Sequence, residues 1–340
     1  MSLKKQLKNN EIGISLDNIF KLAKLALMKH GADEENADAV ANTIMIAERD
    51  GSISHGLFRI PGYIKALKSG KVNGRAKPIL EKITPVIFRC NGQNGFASLA
   101  HQHSIPPLSI AAKKFGIAIV AIQRSHHFAA LWPEVESISY SGLVGLTCLS
   151  YLPWVAPNGG KTPLFGTNPL AFSWPRPEKD PIVFDMATSS MAMGDVQIAA
   201  RDGQQVPLGT GLSEFGKPTK NPAEIIKGVL LPFGGHKGSA ISMMVELLAG
   251  PLIGEAFSYE SGKRDNGDGG PAQGGQFIMA LSPDILSGHD WENQAKIFFK
   301  KFEDIEGSRL PGAQRFANRK NKGVRKVNKI LLETVKNLSN

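Results

Sequence analysis

The chain has 340 residues, of which 42% are hydrophobic, so it is long enough for about two domains with substantial cores. No run of about 18 apolar residues occurs, and the start of the chain has no apolar segment. These features predict a protein with neither a membrane span nor a secretory signal. The two cysteines, Cys90 and Cys148, exclude a disulfide framework and predict a reducing, cytoplasmic location.

Much of the net charge of +10 lies near the end of the chain. The basic residues there are Arg315, Arg319, Lys320, Lys322, Arg325, Lys326 and Lys329. Such a run could bind nucleic acid, but hardly any aromatic residue is interleaved with it and no nucleic-acid-binding motif accompanies it. A solvated helix face is therefore favoured, and contact with a cofactor phosphate near the start of the run is a third interpretation.

Helical spacing of apolar residues predicts a helix over 16–27, with Ser15 as N-cap, and a second from Asp33 to a stop at Gly51. A third helix is predicted over 54–70, in which Pro61 could introduce a kink. That helix would place His55 and Arg59 one turn apart, where both could bind one small anion. On spacing alone, a capping histidine and a surface arginine are an equal alternative.

Residues 86–89 are predicted as a strand, residues 108–115 as a helix that follows Pro106 and Pro107, and residues 116–122 as a buried strand. The buried strand leads into Ser125-His126-His127. Adjacent histidines point in different directions, and His101 and His103 add no recognisable ligand spacing, so no metal site is predicted.

Further strands are predicted at 143–149, 182–184 and 276–281, and further helices at 291–302 and 324–338. Residues 239–249 form an almost wholly apolar helix, which predicts that it is buried or lies at a subunit interface. The glycine-rich segment 259–275 is predicted to be a long mobile loop.

Polar turns recur along the chain at 54–59, 125–128, 164–172 with 184–196, and 232–239, which predicts loops that converge on one site. Asp185 and Asp195 have uncharged neighbours in the sequence. Such a carboxylate more often caps a turn than takes part in catalysis.

The sequence lacks the Rossmann dinucleotide fingerprint, because its one formal match, residues 267–272, follows no strand. Residues 234–239 precede the apolar helix and contain Lys237. Their free backbone amides and the helix dipole could bind an anion. A glycine-rich helix entry with one exposed lysine is an equal alternative.

Taken together, these motifs resemble the type-2 malate/lactate dehydrogenase family, which is unrelated to the Rossmann enzymes of similar name. The motifs are Ser54-His55-Gly with Arg59, Gly166-Thr-Asn-Pro169, Asp185-Met-Ala-Thr-Ser189, Gly234-Gly-His-Lys-Gly238 and Arg309-Leu-Pro-Gly312. The resemblance implies an α/β fold with a family-specific, non-Rossmann NAD(P)-binding domain, a mostly antiparallel sheet and a helical terminal domain. It implies a mixed N-terminal region 1–120 that packs with 310–340, an NAD(P)H-binding domain 121–309, and a cytoplasmic homodimer.

Within this family the chain is similar to the Δ1-piperideine-2-carboxylate/Δ1-pyrroline-2-carboxylate reductases. Two features carry this similarity: the loop 125–132, and Asp195 at a position where malate-type members usually have lysine. The similarity implies NADPH-dependent reduction of cyclic imino acids to L-pipecolate or L-proline. The alternative is a dehydrogenase of malate, lactate, ureidoglycolate or a similar 2-hydroxy acid.

The resemblance also implies residue roles. Arg59 and Thr167 would bind the substrate carboxylate, and Ser54, His55 and Asp195 would form a proton relay with His55 as donor. Contacts with NADPH, or with NADH as a second choice, would come from Gln123, Arg124, Ser125, His126, His127, Asp185, Met186, Ala187, Gly235, His236, Lys237, Gly238, Ser239, Arg309, Gly312 and Arg315. The only partner implied besides a second subunit is a small cyclic imino acid, with no metal, nucleic acid or membrane.

Overall fold

The computed structural model describes residues 10–127 and 129–340. Residues 1–9 of the predicted N-terminal region, and Phe128 of the predicted polar turn, lie outside this description. The helices are α1 (Leu16–Lys29), α2 (Glu34–Asp50), α3 (Ile60–Lys68), α4 (Ala97–Phe115), α5 (Trp132–Tyr140), α6 (Met193–Arg201), α7 (Pro222–Lys227), α8 (His236–Ala249), α9 (Ser258–Arg264), α10 (Pro283–Ser287), α11 (Trp291–Glu303), α12 (Ala313–Lys320) and α13 (Lys329–Ser339). The strands are β1 (Glu11–Ile14), β2 (Ile79–Lys82), β3 (Ile87–Phe96), β4 (Ile117–His126), β5 (Val144–Leu149), β6 (Leu170–Trp174), β7 (Ile182–Met186), β8 (Gly211–Leu212), β9 (Pro218–Thr219), β10 (Val229–Leu230), β11 (Gln273–Leu281) and β12 (Arg325–Asn328).

The main sheet has seven strands in the order β2-β3-β4-β11-β5-β6-β7. Strands β3 and β4 are parallel, and every other neighbouring pair in this sheet is antiparallel. The predicted α/β fold with a mostly antiparallel sheet is therefore confirmed, and it differs from the parallel sheet of a Rossmann domain. Two small antiparallel sheets, β1-β12 and β10-β8-β9, accompany the main sheet.

Helices cover both faces of the main sheet, and the side chains of β4 alternate between them. Val120 and Ile122 belong to a core formed with α4 and α5 on one face. Ile119 and Ala121 pack on the other face, in a cluster that contains Val245 of α8. The uninterrupted apolar run at 117–122 is therefore explained by burial on both sides.

The N-terminal helical pair forms as predicted. The Ser15 side chain caps α1 by accepting a hydrogen bond from the Asn18 amide at 3.3 Å, and Asp33 caps α2 through the Asn36 amide at 3.0 Å. Helix α2 ends at Gly51, whose φ of 84° suits glycine. Both helices bury their apolar stripes in one core with Leu332 and Val335 of α13.

The single helix predicted over 54–70 is wrong. Two short 3-10 turns, Ile53–His55 and Leu57–Arg59, precede α3, and Pro61 lies in the first turn of α3, where its missing N–H costs nothing. His55 and Arg59 consequently do not share one α-helical face. The cause is tertiary: the Glu48 carboxylate accepts a hydrogen bond from the Leu57 amide at 2.8 Å, and a Cβ on Gly56 would overlap that carboxylate.

Helix α4 runs through Pro106 and Pro107, so the prediction that a helix begins only after these prolines is wrong. A proline inside a helix leaves a carbonyl one turn earlier without its amide partner. The carbonyls affected belong to Gln102 and His103, both of which are exposed, so water can satisfy them. The buried face of α4, with Leu108 and Ala112, holds the helix against the sheet.

The long loop predicted over 259–275 is also wrong. Helix α9 occupies its first part, and β11 begins at Gln273. Between them, Lys71 forms ion pairs with Asp265 at 2.8 Å and Asp268 at 2.5 Å, and all three side chains are largely buried. The lysine lies almost two hundred positions earlier in the chain, so no local pattern could have predicted the anchoring.

The helix predicted over 324–338 is in fact strand β12 followed by α13. Strand β12 pairs with β1, and the Asn328 side chain then caps α13 through the Leu331 amide at 3.0 Å.

The preceding basic run is only partly a solvated face. The Arg319 guanidinium donates to Asp50 at 2.6 and 2.8 Å and pairs with Glu136, so it joins α12 to α2 and α5.

The strands predicted at 143–149, 182–184 and 276–281, and the helices at 239–249 and 291–302, correspond to β5, β7, β11, α8 and α11. The main sheet takes strands from both sides of residue 120, and the division there into two domains stays a prediction.

Within the described residues, no single helix is long and apolar enough to cross a membrane. One consecutive pair, His236–Ile253 with Ser258–Arg264, satisfies length and composition together but is bent by 66°.

Candidate active site

The turn that carries Ser54 and His55 lies between α2 and α3. The Ser54 Oγ lies 3.0 Å and the Ser52 Oγ 3.3 Å from Nδ1 of His55, which leaves Nε2 for another partner. Burial, with smaller effects from the Arg59 and His127 charges, lowers the pKa of His55 to about 3. The imidazole is therefore neutral at neutral pH, and once protonated it would be a strong proton donor.

Helix α6 begins against this turn. A Cβ on Gly194 would overlap Nη2 of Arg59 and lie 3.2 Å from Cβ of Ser54, so only glycine allows this approach. Asp195 follows directly and is exposed. The packing thus brings the predicted residues Ser54, Arg59 and Asp195 together, although they come from distant parts of the chain.

Arg59 is 7% exposed and packs on the Phe58 ring at 5.5 Å. Burial lowers the pKa of Arg59, and the nearby Tyr151, Tyr63 and Asp195 oppose that effect. The guanidinium lines a cleft of about 1030 Å³. Other side chains that line this cleft include Phe58, Tyr151, Trp154, Gln197 and Arg201. A buried guanidinium at the wall of such a cleft suits a small carboxylate, which it can bind with two parallel hydrogen bonds.

Thr167 is held by Thr188, two residues after the end of β7. Its carbonyl accepts hydrogen bonds from the Thr188 amide at 2.8 Å and the Thr188 hydroxyl at 3.1 Å. Gly166 approaches the backbone of Tyr151, a residue that lines the Arg59 cleft, so Thr167 is in the neighbourhood of the guanidinium. Its role in substrate binding stays a prediction.

The end of β7 also lies beside the turn that precedes α8. Pro232 forms an isolated bridge with Ser189, and the Phe233 amide donates to the Thr188 carbonyl at 3.1 Å. Gly234 and Gly235 have φ values of 56° and 64°, which favour glycine. The turn therefore brings the motif that begins at Asp185 close to the start of α8.

The start of α8 fits an anionic cofactor group. A Cβ on Gly238 would overlap the Phe233 carbonyl, so the turn needs glycine there too. His236 and Lys237 are exposed, and the Ser239 hydroxyl accepts a hydrogen bond from the Asn158 amide at 3.2 Å. Exposed amides at the positive end of a 14-residue helix, next to a lysine, form a site that can bind a phosphate.

Asp185 has the capping role that the sequence favoured. Its Oδ2 accepts hydrogen bonds from the Leu131 amide at 2.7 Å and the Trp132 amide at 3.1 Å, at the N-terminus of α5. Burial, against these hydrogen bonds, raises the pKa of Asp185 to about 6. The adjacent Met186 is exposed and Ala187 is half-buried, and cofactor contact from all three stays a prediction.

Two of the predicted residues near the end of the chain, Gly312 and Arg315, pack against strand β7. Arg315 donates to the Val183 carbonyl at 2.6 Å and covers the Trp132 ring at 5.1 Å. Gly312, with φ of 86°, lies against the same carbonyl, and Arg309 is exposed. The side chain of Arg315 thus joins α12 to β7 and to α5, while Arg309 remains open to solvent.

At the end of β4, the predicted residues point in different directions. Gln123 donates to the Ile253 carbonyl. Arg124 is exposed, with φ of 51°, and its backbone amide donates to the Glu255 carboxylate at 2.5 Å. Ser125 is buried, and His126 donates from Nδ1 to the Pro271 carbonyl at 3.1 Å. Cofactor contact by these residues stays a prediction.

Several residues near the site were given no role from the sequence. Tyr151 and Glu48 line the cleft, and Tyr63 lies near Arg59. His101 and Glu134 come together with His127, so that one ligand atom from each lies within 4.8 Å of the others. They come from separate segments, and no spacing rule connects them. A second cavity, of about 760 Å³ and lined by residues such as Arg176 and Trp291, shares no residue with this site.

This fold and this site define an oxidoreductase of the malate/lactate dehydrogenase type. The profile of the malate/L-lactate dehydrogenase family matches residues 14–335, and the chain belongs to this family. The resemblance predicted from the sequence motifs, and the prediction of an enzyme, are confirmed. A nicotinamide cofactor follows from the family, and the start of α8 fits its phosphates.

Among curated relatives, the chain is 44% identical over 310 residues to the Δ1-pyrroline-2-carboxylate/Δ1-piperideine-2-carboxylate reductase of Pseudomonas aeruginosa, with 91% of this chain and 93% of the relative covered. It is 42% identical to the Δ1-pyrroline-2-carboxylate reductase of Ancylobacter novellus, with 91% of each chain covered.

Solved structures give the same grouping. The crystal structure of Δ1-piperideine-2-carboxylate reductase from Pseudomonas syringae pv. tomato matches with a TM-score of 0.91 at 42% identity, covering 96% of this chain and 99% of that one. The malate dehydrogenase of Entamoeba histolytica matches with a TM-score of 0.88 at 26% identity, covering 97% of each chain. The fold is thus shared by both classes, and identity is higher to the reductase.

Glu48 gives a prediction about pH. Burial raises the pKa of Glu48 from 4.5 to about 7, so the folded state holds this proton more tightly than the unfolded chain does. Its contribution to stability is greatest below pH 4.5 and is lost as the pH rises to about 7. We expect the free energy of unfolding of the wild type, relative to Glu48→Gln, to fall by about 3 kcal/mol across this range.

Urea denaturation of both proteins at several pH values measures this difference. Glu333→Gln is the control, because Glu333 is exposed and pairs with Lys336 on the same helix, so burial adds no pH dependence to this substitution. A constant difference between wild type and Glu48→Gln would show that Glu48 keeps an ordinary pKa.

Proposed function

We propose that the protein reduces Δ1-pyrroline-2-carboxylate and Δ1-piperideine-2-carboxylate to L-proline and L-pipecolate with NADPH. The observation that carries the proposal is the close packing of Gly194 on Arg59 and Ser54, which brings a carboxylate, Asp195, to the turn that holds His55. The names of the similar reductases support the same substrate class.

The chemistry of an imine explains why an acid suits this position. A cyclic imine accepts hydride at carbon most readily when its nitrogen is protonated, and a nearby carboxylate stabilises that cation. A 2-hydroxy acid dehydrogenase must instead stabilise a developing oxyanion, for which a cationic neighbour is better. Asp195 therefore favours the imine over the keto acid.

Each residue of the turn has a distinct role in this proposal. Arg59 binds the substrate carboxylate, because its guanidinium is buried at the cleft wall and held in place by Gly194 and Phe58. His55 donates the proton, and its low pKa makes the protonated form a ready donor. Ser54 orients His55 through Nδ1, and Asp195 faces the positive nitrogen.

The cofactor would be held at the start of α8 and would supply the hydride. The exposed Lys237 and Arg309 carry the charge that an additional phosphate needs, which favours NADPH over NADH. The guanidinium of Arg315 already donates to the Val183 carbonyl, so its contribution there is smaller than the sequence suggested.

The direct test is oxidation of NADPH by the purified protein, followed by its absorbance, with either Δ1-pyrroline-2-carboxylate or oxaloacetate. We expect turnover with the imine and little with the keto acid. Fast turnover with oxaloacetate and none with the imine would contradict the proposal and favour a 2-hydroxy acid dehydrogenase. The same assay with NADH tests the cofactor preference.

Replacing Asp195 tests its role in the chemistry. We expect Asp195→Asn to lower kcat for the imine by about 100-fold or more, because the cation loses its counter-charge, while the Kd for NADPH hardly changes. Asp17→Asn is a matched control, since Asp17 is likewise an exposed acid in the first turn of a helix. Weak NADPH binding by Asp195→Asn would instead place this residue at the cofactor.

We further propose that the protein is a homodimer that buries one face of α8. This face is apolar and exposed in the single chain: Met243 is 53%, Met244 46%, Leu247 50% and the following Leu252 63% exposed. A contiguous apolar surface of this kind is usually covered by another subunit.

Analytical ultracentrifugation tests the dimer. We expect wild type to sediment as a dimer and Leu247→Glu to sediment as a monomer, because the interface would have to bury an unpaired charge. Leu286→Glu is the matched control, as Leu286 is 62% exposed on α10 and should leave the dimer intact. A Leu247→Glu protein that stays dimeric would place the interface elsewhere.

A further inference from the structure

Five buried polar side chains form a continuous chain of polar contacts behind the candidate site, with three hydrogen bonds and one 3.1 Å contact between Nδ1 of His101 and Oε1 of Glu134. In order they are His127, Glu134, His101, Gln276 and Thr147. All five are 9% exposed or less, so water is excluded and each contact must be satisfied within the protein. The proton on each atom can then be assigned from the partners at the two ends of the chain.

The Thr147 end of the chain is fixed by a backbone carbonyl. The Thr147 hydroxyl donates to the Phe277 carbonyl at 2.9 Å, so its oxygen accepts the hydrogen bond from Nε2 of Gln276 at 3.0 Å. The amide of Gln276 must therefore present its oxygen to Nε2 of His101, at 2.6 Å. Nε2 of His101 consequently carries a proton, and in the neutral ring Nδ1 has none.

The other end is fixed by a backbone amide. The Ala129 N–H donates to Nδ1 of His127 at 3.3 Å, so that nitrogen has no proton. The proton of His127 is then on Nε2, which donates to Oε1 of Glu134 at 3.2 Å. Both rings are oriented by groups that cannot reverse their roles.

One more proton is needed between these two ends. Oε1 of Glu134 lies 3.1 Å from Nδ1 of His101, and neither an unprotonated ring nitrogen nor a carboxylate oxygen can donate. The proton belongs either to the carboxyl group or to the His101 ring. A protonated carboxyl at Oε1 supplies the proton for this contact and leaves every group in the chain neutral.

Three observations assign the proton to the carboxyl. Oε2 of Glu134 is buried and has no hydrogen-bond partner among the described residues, which is costly for an anion but acceptable for a carbonyl oxygen. Glu134 lies on α5, and the Leu131 and Trp132 amides at the N-terminus of that helix, which could have stabilised an anionic Glu134, already donate to Asp185. Burial also raises the pKa of Glu134 and lowers that of His101.

We propose that Glu134 is a neutral carboxylic acid that bridges His101 and His127, and that it acts as a positioning residue by fixing His127 beside His55. The second half of this statement rests on the proposed function. His127 lies close enough to His55 for a charge on one ring to lower the pKa of the other. With the bridge uncharged, His127 stays neutral and therefore adds no repulsion to protonation of His55.

The same three residues resemble a metal site by distance alone. Nδ1 of His101 and Nε2 of His127 lie 3.1 and 3.2 Å from Oε1 of Glu134. These distances match those between neighbouring ligand atoms of a tetrahedral metal site. The tautomer argues against it, because a metal needs the lone pair of Nε2 of His127, and the Ala129 amide holds the lone pair on Nδ1. A ring that binds metal would instead donate from Nδ1 to an acceptor.

Charged groups around Glu134 come from several elements. His101 faces it from α4, His127 from the segment after β4, and Asp185 from β7. Glu136, on the same helix, instead pairs with the Arg319 guanidinium. This contrast within one helix provides a matched control.

Infrared difference spectroscopy tests the protonation state without any assay of activity. At about pH 8, above the pKa values of about 6 and 7 for Asp185 and Glu48, the wild type minus Glu134→Gln spectrum should show the carbonyl band of a protonated carboxyl group. Wild type minus Glu136→Gln should show only carboxylate bands. A carboxylate band lost in Glu134→Gln would overturn the proposal, as would a stoichiometric divalent metal in the purified protein.

Kinetics test the positioning role. Oε1 makes both contacts, so the amide of Glu134→Gln can serve one of the two histidines but not both, and we expect its kcat to fall less than that of Glu134→Leu, with an unchanged pH profile. Glu134→Leu removes both, and we expect kcat to fall about tenfold while the KM for the imine is unchanged, because Arg59 is intact. Equal losses in both variants, or full activity of Glu134→Leu, would overturn the positioning role.

Failure of the proposed function gives a different result. A wild type that turns over oxaloacetate and not the imine would contradict the imine substrate, and the infrared result would be unaffected. The two Glu134 variants would then be compared on oxaloacetate with the same expected ratio. If Glu134→Leu does not fold, the Gln variant and its infrared spectrum still decide the protonation state.

Discussion

The guanidinium of Arg59 lies directly against the Cα of Gly194, and the candidate site depends on this contact. It joins the turn between α2 and α3 to the start of α6, two segments separated by more than a hundred residues in the chain. Any side chain at position 194 would displace either the guanidinium or the helix. The contact therefore sets both the position of the arginine and the distance of Asp195 from the Ser54-His55 turn.

Four acidic residues near the site show how burial divides their roles. Glu48 holds the catalytic turn through the Leu57 amide, Asp185 caps α5, and Glu134 bridges two histidines. Glu48 and Glu134 are buried, Asp185 is half-buried, and burial raises the pKa of each. Asp195, by contrast, is exposed to the solvent.

The packing of the chain ends supports this arrangement from outside. Asp50 receives the Arg319 guanidinium and the indole N–H of Trp132, so α2, α12 and α5 meet at one carboxylate. Helix α5 carries Glu134, and α2 carries Glu48. The C-terminal helices thus hold in place the two helices on which the candidate site is built, which is a larger role than a solvated basic run would have.

The sequence by itself determined the elements whose signals are local. The caps at Ser15, Asp33 and Gly51, the apolar stripes of α1 and α2, and the continuous apolar run of β4 all follow from contacts within a few residues. The motifs were sufficient to recognise the family and, through it, the mostly antiparallel sheet. Asp185 as a cap was likewise favoured from its surroundings, since a lone carboxylate in a turn has few other partners.

Tertiary structure decided whatever depends on partners far away in the chain. Glu48 divides the predicted helix over 54–70 into turns, Lys71 anchors the segment predicted as a loop, and β1 turns the start of the predicted last helix into a strand. The bridge of His101, Glu134 and His127 joins three segments whose spacing carries no signal. The physical reason is common to all of them: hydrogen bonds and ion pairs between distant residues outweigh local helix or loop preference once burial removes the competing water.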